Sequence, residues 1–292
     1  MAEVPATPTT TARRHRGITV GPTTGRYLSA FKTPRGLIGL SLLGTLVLAA
    51  LLAPVIFPGG YDDQGSDALT GPSAAHPFGR DEFGRDILVR SIYGLRINFS
   101  LIFLAVPLSM VLGLVLGLAA ALSARLGAGV QRIFDIIIGF PGVLLGICLV
   151  TVFGPGRLAL FLTILISGIP VAGRLARAAW LSQQNREYVL AARVLGISRW
   201  HILARHIVPN AMDAIVLNAS IWMVTGVYIE AGMSIVGLGM QPPTPSLGVL
   251  LNNGLRFVDQ SPTYVIGPAL LLLLLTIAFS LIADALNRAV NS

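Results

Sequence analysis

Residues 187–210 read Glu187-Tyr-Val-Leu-Ala-Ala-Arg-Val-Leu-Gly196-Ile-Ser-Arg-Trp-His-Ile-Leu-Ala-Arg-His-Ile-Val-Pro209-Asn210, a polar stretch between two long apolar runs. Val189, Ala192, Val194 and Leu195, then Ile202, Leu203 and Ile207, recur at helical intervals on two short segments. Gly196 stands between them, where a helix end takes a left-handed residue. Ser198 follows at an N-cap position, and Pro209 is read as closing the second segment. The pattern predicts two short amphipathic helices joined at a glycine on the inner face of a membrane. Such an element suits docking into a groove on a cytoplasmic partner.

The flanking composition supplies the membrane. Apolar residues make up 54% of the 292-residue chain and charged residues 12%, which excludes an ordinary soluble domain. Six segments, near 36–57, 98–123, 129–153, 156–178, 212–238 and 265–287, carry the roughly 20 apolar residues that a bilayer core needs. The first follows a polar stretch and lacks an Ala-x-Ala pattern near its end, so it reads as a retained span. The net charge of +8 does not signal nucleic acid. With the N-terminus inside, 15 of the Lys and Arg residues fall on inner segments and 6 on outer ones. An even number of spans then places both termini in the cytoplasm. The excess of positive charge is topology, with some attraction to anionic lipid.

Residues 1–34 are rich in Thr, Pro, Gly and Arg and read as a mobile cytoplasmic tail, leaving 35–292 as the membrane domain. Residues 58–97 form a long external connection. Within it Phe83, Ile87, Leu88, Ile92 and Leu95 share a helical face, while Asp81/Arg85 and Asp86/Arg90 are opposite charges four apart. This predicts an amphipathic helix on the outer surface, its ion pairs on the solvated side. In the third span, Pro141 is expected to kink or break the helix, and Asp135 reads as an interfacial acid with Arg132 as candidate partner. Cys148 in that span reads as a small buried apolar residue. The four histidines show no metal-ligand spacing, and no metal site is expected.

The fifth span holds the acid deepest in an apolar run, Glu230, in Tyr228-Ile-Glu-Ala-Gly-Met-Ser234. An intramembrane carboxylate is costly, so it is a functional candidate. It either meets cargo or locks helices, with Gly226 and Gly232 allowing close packing. Downstream, Gln241-Pro-Pro-Thr-Pro-Ser246-Leu-Gly248 reads as a stiff, extended external segment.

Several of these stretches resemble one family, the permease subunits of bacterial ABC importers. The inner loop is similar to the family's Glu-Ala-Ala, three residues, Gly, nine residues, Ile-x-Leu-Pro. Ala191, Ala192, Gly196 and Pro209 are in register, while Leu190, His206 and Val208 replace Glu, Ile and Leu. Residues 76–86 resemble His-x-Leu-Gly-Thr-Asp-x-Leu-Gly-Arg-Asp through Gly79, Asp81, Gly84, Arg85 and Asp86, with Phe78 and Arg80 as departures. That segment points to the dipeptide/oligopeptide/nickel branch, most like the C-type subunit of dipeptide permeases. The Asp135…Phe140-Pro141, Glu230–Gly239 and 242–248 stretches resemble the same family, with Leu247 in place of its Trp.

The resemblance implies an all-α membrane protein with a cytoplasmic two-helix coupling loop near 187–210, in a bacterial inner membrane. It implies that Ala191, Ala192, Arg193, Gly196, Ile207 and Pro209 belong to an ATPase-docking loop. It also implies a homologous permease, two ATPase subunits or one tandem ATPase, and an external solute-binding protein as partners. The chain contains no Gly-x-x-x-x-Gly-Lys-Ser/Thr, and its one lysine is Lys32, so it is not read as an enzyme. ATP and magnesium would belong to the ATPases, with no cofactor on this chain. Peptides are the expected cargo. Import of nickel chelates, haem or other small solutes is the alternative, followed by a secondary transporter or a passive channel.

Overall fold

A computed structural model describes residues 23–291, and helices account for the regular structure. The helices are α1 (Thr23–Ala30), α2 (Pro34–Ile56), α3 (Ile87–Leu122), α4 (Ala124–Gly139), α5 (Gly142–Phe153) and α6 (Arg157–Gln183). There follow α7 (Glu187–Val194), α8 (Arg199–Ile202), a π turn (Leu203–Ile207), α9 (Val208–Ile235), α10 (Leu247–Leu255) and α11 (Thr263–Asn291). Five helices, α2, α3, α6, α9 and α11, are each long and apolar enough to cross a bilayer. The α4–α5 pair makes a sixth crossing if its two halves count as one span. Its halves meet at 98°, at the proline that the sequence marked as a break.

Local chemistry sets the helix starts. Thr33 caps α2 by accepting from the amide of Gly36 at 3.1 Å, and Pro34 fills the first turn, where no amide partner is needed. Asp86 caps α3 through the amide of Val89 at 3.0 Å. At about 1.5 Å per residue, α3 is roughly 54 Å long, well beyond one bilayer core.

This length corrects the expected external amphipathic helix. Its apolar residues from Ile87 onward form the first turns of α3 itself, and residues 78–86 are a bent, capped connection. Phe83 lies in that connection and is exposed, whereas Ile87 and Leu95 are fully buried. A second correction concerns the N-terminal segment. Residues 1–22 lie outside the described residues, but Thr23–Ala30 is helical. Ala30 packs against Ala285 and Leu286 of α11, and the Tyr27 hydroxyl donates to Asp213 of α9 at 2.5 Å.

The bundle is layered. α2 packs on α3 and α11 at one edge, and α5 packs on α6 and α9 at the other. The central core joins Leu101, Ile102 and Val106 of α3, Leu160 and Ile164 of α6, Val227 and Met233 of α9, and Phe279 of α11. The tightest seam is between α3 and α6. A Cβ at Gly113 would stand 2.3 Å from the carbonyl oxygen of Ile169, and one at Gly117 2.3 Å from that of Gly173. Backbone meets backbone here, as small-residue seams in membrane helices allow. Gly117→Val is therefore expected to force α3 and α6 apart, at a cost of about 1–3 kcal/mol or more. A lowered thermal midpoint of the detergent-extracted protein would show it, and an unchanged midpoint would contradict the packing.

Candidate functional site

Residues 187–209 fold as an elbow built on α3 and α6. Val189 and Ala192 of α7, with Ile202, Leu203 and Ile207, bury against Leu118, Ala176 and Trp180. Gly196 ends α7 with φ +76°, and the Ile197 amide reaches back to the Ala192 carbonyl at 3.0 Å. Ser198 caps α8 through the His201 amide at 3.3 Å. The glycine hinge and the cap stand where the sequence put them. Two parts of the reading change. Val194 and Leu195, grouped by periodicity with the anchored residues, are 88% and 79% exposed, because α7 ends there and the chain turns away. Pro209 does not close a segment either. It lies in the first turn of α9, and the π turn Leu203–Ile207 runs straight into that span.

The result is an anchored elbow with an apolar tip. Its base is buried in the bundle, and Val194, Leu195 and Trp200 project from it. Ala191 is exposed, Ile207 is fully buried and Pro209 is exposed at the junction. Val194, Leu195 and Trp200 thus stand as exposed large apolar side chains close together in sequence on a short element.

Near the opposite end of α9, Glu230 is fully buried. One carboxylate oxygen accepts from Ser234 at 2.8 Å and Ser246 at 2.7 Å, and the other accepts from Asn98 at 2.8 Å. Asn98 in turn accepts from the Leu247 amide at 3.3 Å, and Asn252 donates to the Ser234 carbonyl at 3.1 Å. One carboxylate thus joins α3, α9 and α10. Ser246 also caps α10 through Val249 at 3.3 Å. The expected external extended segment is corrected at this point: Ser246, Leu247 and Gly248 turn back into the bundle and are buried. Gly226 makes ordinary contacts, a Cβ at Gly232 would press to 3.3 Å from Val143, and the closer approach belongs to Gly248, where a Cβ would lie 2.6 Å from Ser234 Cβ.

The connection between α2 and α3 is also a closed polar cluster. Asp81, fully buried, accepts from the amides of Phe83 and Arg85 at 2.9 Å and from Arg85 Nε at 2.7 Å. Asp62 takes the other end of Arg85 at 2.9 Å. Burial opposes the charge on Arg85, but its bonds to Asp62 and Asp81 outweigh that, so its pKa rises. Gly79 and Gly84, with φ +79° and +71°, turn the chain around Asp81. The expected Asp86–Arg90 pair does not form. Asp86 caps α3 and meets His76 Nδ1 at 2.6 Å, while Arg90 turns to Asp81 at 3.4 Å. Arg85 and Arg90 are buried under the loop and are not on a solvated face.

Residues 109–292 match the family described as binding-protein-dependent transport system inner membrane component. This chain belongs to that family. It is 39% identical over 272 residues to the dipeptide transport system permease protein DppC of Escherichia coli K12, covering 89% of this chain and 90% of that one. It is 33% identical over 274 residues to the DppC of Alkalihalophilus pseudofirmus, covering 93% and 90%. It is 35% identical over 251 residues to the glutathione transport system permease protein GsiD of E. coli O6:K15:H31, covering 84% and 82%. An inward-facing structure of the MetNI methionine ABC transporter shares the fold, with a TM-score of 0.56 at 22% identity over 70% of this chain and 96% of that one.

In this inner membrane component two further residues depart from expectation. Asp135 pairs with Arg174 of α6 at 2.7 Å and not with Arg132, because Arg174 approaches it from the neighbouring helix. Cys148 is exposed on α5, since that short helix presents one side away from α6 and α9. The sequence reading missed Asn98, Ser246 and Asp62, which complete the two buried clusters. Asn98 had a visible signal, as an amide at the start of an apolar run, and Ser246 precedes the apolar stretch of α10 as N-caps do.

Proposed function

We propose that this inner membrane component is a permease subunit of an ATP-driven importer of peptides. With a homologous permease it forms half of a translocation path, and it receives cargo from an external solute-binding protein. A cytoplasmic ATPase, as two chains or one tandem chain, docks on the α7–Gly196–α8 elbow and supplies ATP and magnesium. The observation that carries this reading is the elbow's construction, with a base anchored on α3 and α6 and the apolar tip Val194, Leu195 and Trp200 held out from it. Peptide cargo is supported by the dipeptide and glutathione permeases among its relatives.

The mechanics follow from chain continuity. Displacement of α7 and α8 passes through the π turn into α9 without an intervening loop. α9 in turn carries Glu230, which ties it to α3 and α10, so these elements move together as the ATPases close. Gly196→Val tests the hinge. A β-branched residue at φ +76° costs about 1–2 kcal/mol, and the Cβ meets no neighbour that would otherwise disturb folding. Peptide uptake by the assembled transporter is expected to fall about tenfold, as 1.4 kcal/mol would give, with normal insertion. Wild-type uptake and ATPase association would count against the docking role.

Orientation is tested by labelling. In a Cys148→Ser background, needed because Cys148 is exposed, cysteines at the exposed Ser66 and Ser198 report opposite faces. An impermeant thiol reagent applied to intact cells is expected to react at position 66 and not at 198. The reverse pattern would overturn cytoplasmic termini and the positive-inside assignment.

A further inference from the structure

A cavity of about 510 Å³ opens between α2, α3 and the first turn of α6, at the end of the bundle opposite the elbow. That volume lies within the range of ligand sites. Its floor is apolar, formed by Ala50 and Leu51 of α2 with Phe99 and Phe103 of α3. Its rim carries two guanidinium groups, Arg96 of α3 and Arg157 at the start of α6. Arg80, Arg85 and Arg90 have partners within the chain, whereas among the described residues no acid pairs with Arg96 or Arg157, nor with Arg256, which lies outside the cavity lining. Phe103 is seven residues beyond Arg96, about 10 Å along the helix, so charge and apolar floor are separated by two turns.

We infer that this cavity binds an acidic phospholipid in the leaflet opposite the elbow, its phosphate held by Arg96 and Arg157 and the top of an acyl chain laid along Leu51 and Phe103. Three observations support a lipid over the carboxylate of a transported peptide. The α2 wall is the edge of the bundle, since α2 packs only on one side, against α3 and α11. Leu51 and Phe103 remain 62% and 41% exposed beside the cavity, so it opens laterally toward hydrocarbon. The interrupted helix pair α4–α5 lies at the far edge, beyond α6 and α9, and interrupted helices mark the water-filled side of a transporter. Tyr61 and Tyr93, in edge contact at 5.3 Å, sit at the rim as interfacial aromatics do. Arg96 and Arg157 are both exposed at the cavity rim, and a phosphate bound there would satisfy them with charge-assisted bonds.

The test uses the intact complex, with the chain co-expressed with its partner subunits and transferred into phosphatidylcholine nanodiscs containing a minor fraction of phosphatidylglycerol. Native mass spectrometry then counts phosphatidylglycerol retained per complex. The wild type is expected to retain it preferentially, and the Arg96→Gln/Arg157→Gln double variant to lose that enrichment by about tenfold. Arg96→Lys should keep most of it, and Leu51→Trp, which fills the floor and leaves both charges, should lose it. Peptide KM in vesicles of phosphatidylcholine alone should be the same for the wild type and the double variant. Equal phosphatidylglycerol retention by every variant would overturn the site in favour of non-selective annular lipid. A double variant with unchanged retention and a raised peptide KM would overturn it in favour of a peptide carboxylate.

Discussion

Glu230→Leu is expected to lower the stability of the chain by about 3–5 kcal/mol, because it orphans three buried hydrogen-bond donors at once. The change leaves the Asn98 amide and the Ser234 and Ser246 hydroxyls without their shared acceptor in a fully buried site. Each orphaned donor costs about 1–3 kcal/mol, less than additively because the two hydroxyls can rotate toward other acceptors. Glu230→Gln is the informative companion. Its amide oxygen can accept from Asn98 while its NH₂ donates to the serine oxygens, so a loss of only about 1 kcal/mol is expected. Thermal midpoints of the extracted complex measure both. A leucine variant as stable as the wild type would remove the helix-locking role. A glutamine variant that assembles normally but fails in uptake would assign Glu230 to cargo instead.

The other large effect is expected at Asp81. Asp81→Ala removes the acceptor shared by Arg85 and Arg90, both almost fully buried, and also the acceptor of the Phe83 and Arg85 amides. Arg85 keeps Asp62 and Arg90 keeps the Tyr61 carbonyl, so the loss is expected to fall below the roughly 3–5 kcal/mol of a fully uncompensated buried charge. The damage is expected to be local, since the cluster holds the 58–86 connection, and Glu82 also ties that connection to Tyr264 of α11 at 2.8 Å. The connection should open and become sensitive to protease from outside the cell while the helices stay inserted. Protease resistance equal to that of the wild type would contradict the account of the external cluster. Asp81→Asn, which keeps the oxygen that caps the two amides, should be milder.

These clusters also show what the sequence could and could not reveal. The spans were legible because each must be apolar over a length fixed by the bilayer, whatever surrounds it. The break at Pro141 was legible for the same kind of local reason, but the 98° between its halves is set by packing on α6 and α9. Glu230 stood out by its chemistry, whereas Asn98 lies 132 residues away and no local pattern links the two. Charges four apart near Asp81 suggested a solvated helix face. They are buried because Asp62, 23 residues before Arg85, folds over them. The three prolines before Ser246 suggested an extended external run and masked the N-cap that starts α10. At the elbow, Gly196 and Ser198 were readable as helix punctuation. Periodicity failed at Val194, the last residue of α7, because it lies off the face of Val189 and Ala192, and at Leu195 because it lies beyond the helix end.

The central claim, that the elbow seats an ATPase, is tested most directly by a photo-reactive benzoyl-phenylalanine placed at Leu195, the exposed tip beside the Gly196 hinge. The chain is co-expressed with the partner subunits of its transporter, irradiated in native membranes, and its adducts are identified by mass. The account predicts a covalent product with the ATPase from position 195, and none from the same residue placed at Leu104, exposed on the span face of α3. An ATPase that co-purifies fully yet forms no adduct at position 195 would contradict it.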